Sequence, residues 1–196
     1  MKKQTKLSTG RLCLLIGICL LVVAAVVLIA WQWSIHTSQQ RTAYYVHTIR
    51  TRIPEPQAAV PEERRDNTMS VLSIEGTNFV GILEIPKYSS VVPVCGDWGE
   101  TWKYPCRLSG SVYDRTMQMG GTSQKGQFDF YREISVGDLV FFTDMEGNRF
   151  SYEVTNIRYE AHADQTALRR EDAALTLFIQ NVYALEYLVI FCDVLG

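Results

Sequence analysis

The sequence predicts a mainly β protein, a closed β-barrel of about eight strands with short helices, preceded by one N-terminal transmembrane helix. Three observations predict it. Leu12 to Trp31 is a run of 20 residues without a charge, and at about 1.5 Å per helical residue it spans about 30 Å, the thickness of a bilayer's hydrocarbon core. A polar, proline-bearing stretch follows. From Phe79 onward, apolar runs of five to eight residues are broken by turn residues, the pattern of a barrel or sandwich rather than a helical bundle. In 196 residues this leaves room for one domain of ordinary size and excludes a second catalytic one.

The chain divides on these grounds into a cytoplasmic tail (1–11), a transmembrane helix (12–33), a stalk and linker (34–78) and the barrel (79–196). Lys2, Lys3, Lys6 and Arg11 precede the apolar run with no acidic residue among them, and Trp31 and Trp33 stand at its far end. Basic residues stay on the cytoplasmic side and tryptophan favours the interface, so the protein is expected in the cell membrane as a single-pass protein with its C-terminal domain outside. Ala30-Trp31-Gln32-Trp33 offers no small-residue cleavage site, which favours an uncleaved anchor over a signal peptide.

In the stalk, Tyr45, Ile49 and Ile53 recur at four-residue steps and suit one face of a short helix. Pro54, Pro56 and Pro61, with the charged run Glu62 to Asp66, predict an exposed linker over residues 54 to 76. The barrel strands are expected at Phe79 to Ile85, Val91 to Cys95, Met117 to Gly121, Leu139 to Thr143, Phe150 to Ile157, Leu175 to Gln180 and Tyr187 to Val194. Asp144 to Asn148 reads as the turn of a hairpin. Phe128, Tyr131 and Ile134 fall three apart and predict a helical turn or two. Met117, Met119, Phe128, Phe130 and Tyr131 read as core and rim.

The chain has 19 Lys and Arg against 21 Asp and Glu; without the four basic residues of the tail, the remainder carries 15 against 21. Such a surface repels nucleic acid and anionic lipid. Of five cysteines, Cys13 and Cys19 lie in the apolar run, leaving Cys95, Cys106 and Cys192 where a disulfide is permitted but not required. His36, His47 and His162 are scattered and no Cys-x-x-Cys occurs, so neither a metal nor a cofactor is expected. His162, in the polar stretch Glu160 to Gln165, reads as an exposed loop residue.

Gly81-Ile82-Leu83-Glu84-Ile85-Pro86, then Pro105 to Ser111, Val136-Gly137-Asp138, Phe142-Thr143-Asp144 and Gly147 stand in the order of similar segments in one family. Over residues 79 to 196 the chain resembles the sortases, the membrane-anchored cysteine transpeptidases of Gram-positive bacteria. The resemblance implies a sortase-type barrel. It also places the family's catalytic histidine at Thr122, after Met117-Gln118-Met119-Gly120-Gly121, its cysteine at Gln180, after Leu175-Thr176-Leu177-Phe178-Ile179, and its arginine at Tyr187. Cys192 aligns with a second family cysteine, and Cys106 and Cys192 are read either as buried small residues or as a disulfide.

Each replacement removes a role. An amide such as that of Gln180 has no ionisable proton and is a poor nucleophile, a threonine hydroxyl is too weak an acid to protonate a leaving amine near neutral pH, and Tyr187 offers one neutral donor where the arginine offers a cationic fork. Loss of a nucleophile alone costs on the order of a millionfold in rate. The expectation is a pseudoenzyme whose groove, at Gly120, Gly121, Thr122, Gln180 and Tyr187, binds a sorting-signal peptide, a surface protein or an active sortase. Two alternatives stand beside it: an envelope module with no peptide groove, and an active sortase-type peptidase using relocated residues drawn from Cys95, Cys106, Cys192 and His162.

Overall fold

The computed structural model describes residues 9–58, 67–96, 98–100, 103–161, 173–184 and 186–195. The chain forms two compact units, Met1–Thr37 and Ser38–Gly196. In the first lies most of helix α1 (Thr9–Arg50). An 18-residue window of this helix has a mean hydropathy of 3.4, and Leu14, Leu21, Ile29 and Trp33 are all exposed. A helix that is apolar all round has no buried stripe to offer a core; this one is long and apolar enough to cross a membrane.

The helix expected in the stalk is present as the last part of α1, which runs unbroken to Arg50, since the polar residues after Trp33 include no proline or glycine before Pro54. Within the second unit α1 changes character. Thr42, Tyr45, Val46 and Ile49 are buried, at the i, i+3, i+4, i+7 spacing of an amphipathic face. The expected Ile53 lies past the helix end, partly buried against the same cluster. Ile53 N still donates to Ile49 O at 3.0 Å, and Pro54 then disfavours further helix.

Among the described residues ten strands follow: β1 (Gln57–Ala58), β2 (Leu72–Ile74), β3 (Thr77–Ile85), β4 (Ser90–Cys95), β5 (Cys106–Ser109), β6 (Met117–Thr122), β7 (Leu139–Asp144), β8 (Asn148–Glu160), β9 (Leu175–Gln180) and β10 (Tyr187–Val194). Eight of them close in the order β8-β10-β9-β6-β5-β4-β3, with β7 pairing both β3 and β8. The closed eight-stranded ring matches the fold read from the sequence, and closure leaves each of these strands a partner on both sides. Within the ring, β4 with β5 and β6 with β9 run parallel. The expected β7–β8 hairpin is present, its turn held by Asp144 Oδ1, which accepts from Glu146 N at 2.8 Å and Asn148 N at 2.9 Å.

Inside the ring, Met117, Met119, Leu175, Leu177, Ile179, Leu188, Ile190 and Phe142 form the main core, the alternate residues of their strands. A second cluster joins α1 to the barrel: Tyr45 packs against Phe79 and Tyr104, with ring centroids 5.0 and 5.4 Å apart. Tyr45 Oη donates to Glu75 Oε2 at 2.9 Å. Glu84 on β3 pairs with both Arg50 of α1 and Arg149 of β8.

The linker expectation is corrected, and two further segments differ from what the sequence suggested. Residues 54 to 76 are not simply an exposed linker, because β1 pairs with β8, β2 pairs with β3, and Met69 and Ile74 are buried; the charged run Glu62 to Asp66 lies outside the described residues. β5 went unforeseen, being four residues long with Arg107 in the middle. Phe128, Tyr131 and Ile134 are all buried in the main core, on successive hydrogen-bonded turns without a regular helix: Tyr131 N bonds Phe128 O, and Glu133 N and Ile134 N both bond Phe130 O.

Candidate functional site

Adjacent strands bring Thr122, Gln180 and Tyr187 together. Thr122 is the last residue of β6, Gln180 the last of β9 and Tyr187 the first of β10. Thr122 is the register partner of Gln180, and Gln180 that of Tyr187. Directly paired residues point to the same face of a sheet, and two strand spacings of about 4.8 Å put the three positions within about 10 Å. Since Leu175, Leu177 and Ile179 face the core, alternation turns Thr176, Phe178 and Gln180 outward. On β10, Tyr187, Val189 and Phe191 turn outward likewise; Tyr187 stacks on Phe178 with centroids 4.9 Å apart.

The three positions differ in exposure. Gln180 is exposed, Tyr187 half-buried and Thr122 buried. Among the described residues, the Thr122 hydroxyl oxygen has no hydrogen-bond partner. Backbone bonds hold the strand ends firmly: Thr122 N donates to Gln127 Oε1 at 2.9 Å, Ser123 N donates to Gln180 O at 2.9 Å and Phe128 N to Thr122 O at 3.1 Å. The β9–β10 connection is tied by Asn181, whose Nδ2 donates to Glu186 Oε1 at 2.7 Å and whose Oδ1 accepts from Tyr183 N at 3.0 Å.

The two glycines of β6 play different parts. A Cβ on Gly121 would sit 2.9 Å from Phe128 Cε2 and 3.0 Å from Gln127 Oε1, so Gly121 faces the barrel interior. Gly120 faces outward, and the Trp98 ring lies on its backbone, where a Cβ would be 2.5 Å from Cζ3. Here glycine permits close approach. Trp98 was not singled out in the sequence; the signal for it was a bare glycine on a strand face, which leaves space for an aromatic ring from elsewhere.

Trp98 belongs to the connection between β4 and β5, whose ends are bridged by a disulfide between Cys95 and Cys106, 4.4 Å apart at Cα. Cys106 therefore pairs with Cys95 and not with Cys192. The reason is topological: Cys95 and Cys106 are register partners on neighbouring parallel strands, whereas Cys192 points into the core. Cys192 is a free, fully buried thiol, and burial, with the neighbouring Asp193 adding to it, pushes its pKa far above the ordinary thiol range. In this structure none of these three cysteines offers an accessible thiolate. His162 lies outside the described residues, and no group of three His, Cys, Asp or Glu side chains among the described residues is arranged to hold a metal.

No protein-family model matches the sequence, and no curated protein matches it. Solved structures do. Sortase A of Listeria monocytogenes superposes with a TM-score of 0.51 at 15% identity, covering 60% of this chain and 88% of that one. Sortase A of Corynebacterium diphtheriae, a lid mutant, gives 0.52 at 17%, covering 61% and 72%. Clostridium perfringens sortase C with the C-terminal cell wall sorting motif gives 0.51 at 17%, covering 60% and 71%. At these identities the likeness speaks for the fold, and the chain has a sortase-like fold.

Proposed function

We propose that this protein is a sortase-like pseudoenzyme, anchored by α1 on the outer face of a Gram-positive cell membrane, that binds a peptide at the ends of β6, β9 and β10 without cleaving it. The observation that supports the reading is the register Thr122–Gln180–Tyr187: three adjacent strand ends meet, and they carry a hydroxyl, an amide and a phenol, where the family resemblance would put acid, thiol and cation. The buried Thr122 hydroxyl without a partner supports a ligand that supplies one. The Cys95–Cys106 disulfide supports an oxidising compartment, hence the outside of the cell, as do the basic residues ahead of the apolar run.

A sorting-signal peptide is the ligand class proposed, presented by a surface protein or shared with an active sortase. Titrating such a peptide against the full chain in detergent micelles tests this: saturable binding that weakens in Gln180→Ala is expected, and no binding at millimolar peptide would overturn it. A second reading, an envelope module whose groove is closed, draws on Trp98 lying over Gly120; it predicts that absence of binding. Use of relocated cysteines instead predicts turnover abolished by replacing Cys95, Cys106 and Cys192. The disulfide and the buried thiol weigh against it. The triple variant Thr122→His, Gln180→Cys and Tyr187→Arg is expected to gain slow cleavage of the peptide; a folded but inert triple variant would count against the register or the open groove.

A further inference from the structure

Residues 123–128 touch both the strand ends of the candidate site and helix α1. At one end, this loop closes the strand ends: Ser123 N bonds Gln180 O, Ser123 Oγ accepts from Val182 N at 3.2 Å, Gln127 Oε1 caps Thr122 N, and Phe128 N returns to Thr122 O. At its other end it is held by α1. Thr42 Oγ1 donates to Gly126 O at 2.8 Å and Ser38 Oγ donates to Lys125 O at 3.1 Å. Gly126 has φ +83°, and a Cβ there would stand 3.0 Å from Thr42 Oγ1 and 3.2 Å from Ser38 O, so both its conformation and the approach of the helix require glycine.

A cavity of about 410 Å3 lies between α1, at Thr42, Val46 and His47, and β4, at Ser90 and Val92, and reaches Gly126 and Gln127. Beside this space, the Thr42 and Ser38 hydroxyls tie the loop's Gly126 and Lys125 carbonyls to the helix.

We infer that Ser38 and Thr42 are positioning residues: through residues 123–128, the α1 segment Ser38–Thr42 sets the placement of Thr122 and Gln180, and so controls the proposed peptide site from the helix side. This deepens the function proposed above and rests on its reading of those two positions. Neither hydroxyl touches the site. A change of α1 at Thr42 reaches Thr122 in three links: Gly126, Gln127 and the Thr122 amide.

The test is amide exchange resolved at single residues by NMR on the full chain in detergent micelles. Thr42→Val removes the donor and keeps the shape; loss of one hydrogen bond predicts exchange about fivefold to tenfold faster at Ser123 and Phe128, with the β7–β8 hairpin unchanged. Thr42→Ser, which keeps the donor, should restore the wild-type rates. Thr48→Val should change neither amide, because the Thr48 hydroxyl bonds Tyr44 O within the helix. Wild-type rates at Ser123 and Phe128 in Thr42→Val, or a uniform acceleration across the barrel, would overturn the coupling. Failure of wild-type protein to bind a sorting-type peptide would count against the proposed function alone, because the exchange rates decide the coupling without any ligand.

Discussion

Replacing Gly120 by alanine asks whether the Trp98 ring on that glycine is a packed part of the fold. The added methyl group would overlap the indole, so the ring must leave or the strand must shift. Trp98 is 43% exposed; of a side chain offering up to about 250 Å2, somewhat over half, about 140 Å2, is therefore covered. At about 25 cal/mol per Å2 this amounts to about 3.5 kcal/mol, a ceiling because the unfolded chain already covers some of that area and a displaced ring finds other contacts. Gly120→Ala is accordingly expected to cost about 1–3 kcal/mol. Trp98→Ala should cost a similar amount, since it discards the same contact. In the double variant the methyl group meets no ring, and the combined cost should fall short of the sum by about 1–2 kcal/mol. Urea unfolding of all four proteins followed by circular dichroism measures this. Costs that add to within about 0.5 kcal/mol would show that the two residues do not share a contact and would remove Trp98 from the face beside Thr122.

Three other predictions follow from buried groups. Cys95→Ser with Cys106→Ser should destabilise the fold by about 3 kcal/mol, from the chain entropy of a closed loop of this length, where the two cysteines are 11 positions apart; unchanged urea midpoints would argue that the bond does not form. Cys192 should resist iodoacetamide in the folded protein even at pH 9, because burial keeps the thiol protonated, and labelling as fast as in urea would contradict its placement. Asp138 is opposed by burial, which raises its pKa, but hydrogen bonds from Lys87 Nζ and Tyr88 Oη, each at 2.7 Å, and Ser135 N at 2.9 Å outweigh this and hold the pKa below the usual carboxylate range. A depressed carboxylate stabilises the fold above its ordinary range and loses that contribution as pH falls through its folded value. Thermal melts between pH 6 and 2 should thus show a shallower acid limb in Asp138→Asn; an identical limb would sink this account.

The sequence carried the ring of strands because each long strand alternates apolar residues with a recognisable end. The family resemblance drew attention to the ends of Met117 to Thr122 and Leu175 to Gln180, and these two strands are neighbours with Thr122 opposite Gln180. β2 and β5 escaped because three or four residues cannot display a period. The continuity of α1 escaped because a membrane reading follows apolarity, which stops near Trp33, whereas the helix goes on through polar residues that contain no proline and that pack Tyr45, Val46 and Ile49 against the barrel. The partner of Cys106 depended on which strands are neighbours, and with β5 unseen, its adjacency to β4 could not be inferred. Gln127 and Thr42, which govern the loop beside the site, act through backbone groups, and such bonds leave no mark in composition or spacing.

Thr122 separates a vestigial strand end from a binding position. A buried hydroxyl without a partner costs about 1–3 kcal/mol relative to a satisfied one, and valine, of the same shape, would avoid the cost if the position had only to be filled. Thr122→Val should therefore stabilise the unliganded protein by about 1 kcal/mol, read as a higher urea midpoint at unchanged slope. If a peptide donates to or accepts from that oxygen, the same substitution should weaken its binding about fivefold to tenfold, the net worth of one hydrogen bond. Stability and affinity would then move in opposite directions, which packing alone does not produce. A valine variant that is less stable than the parent would mean that the hydroxyl is satisfied in solution, and the orphaned oxygen would no longer support a ligand at this strand end.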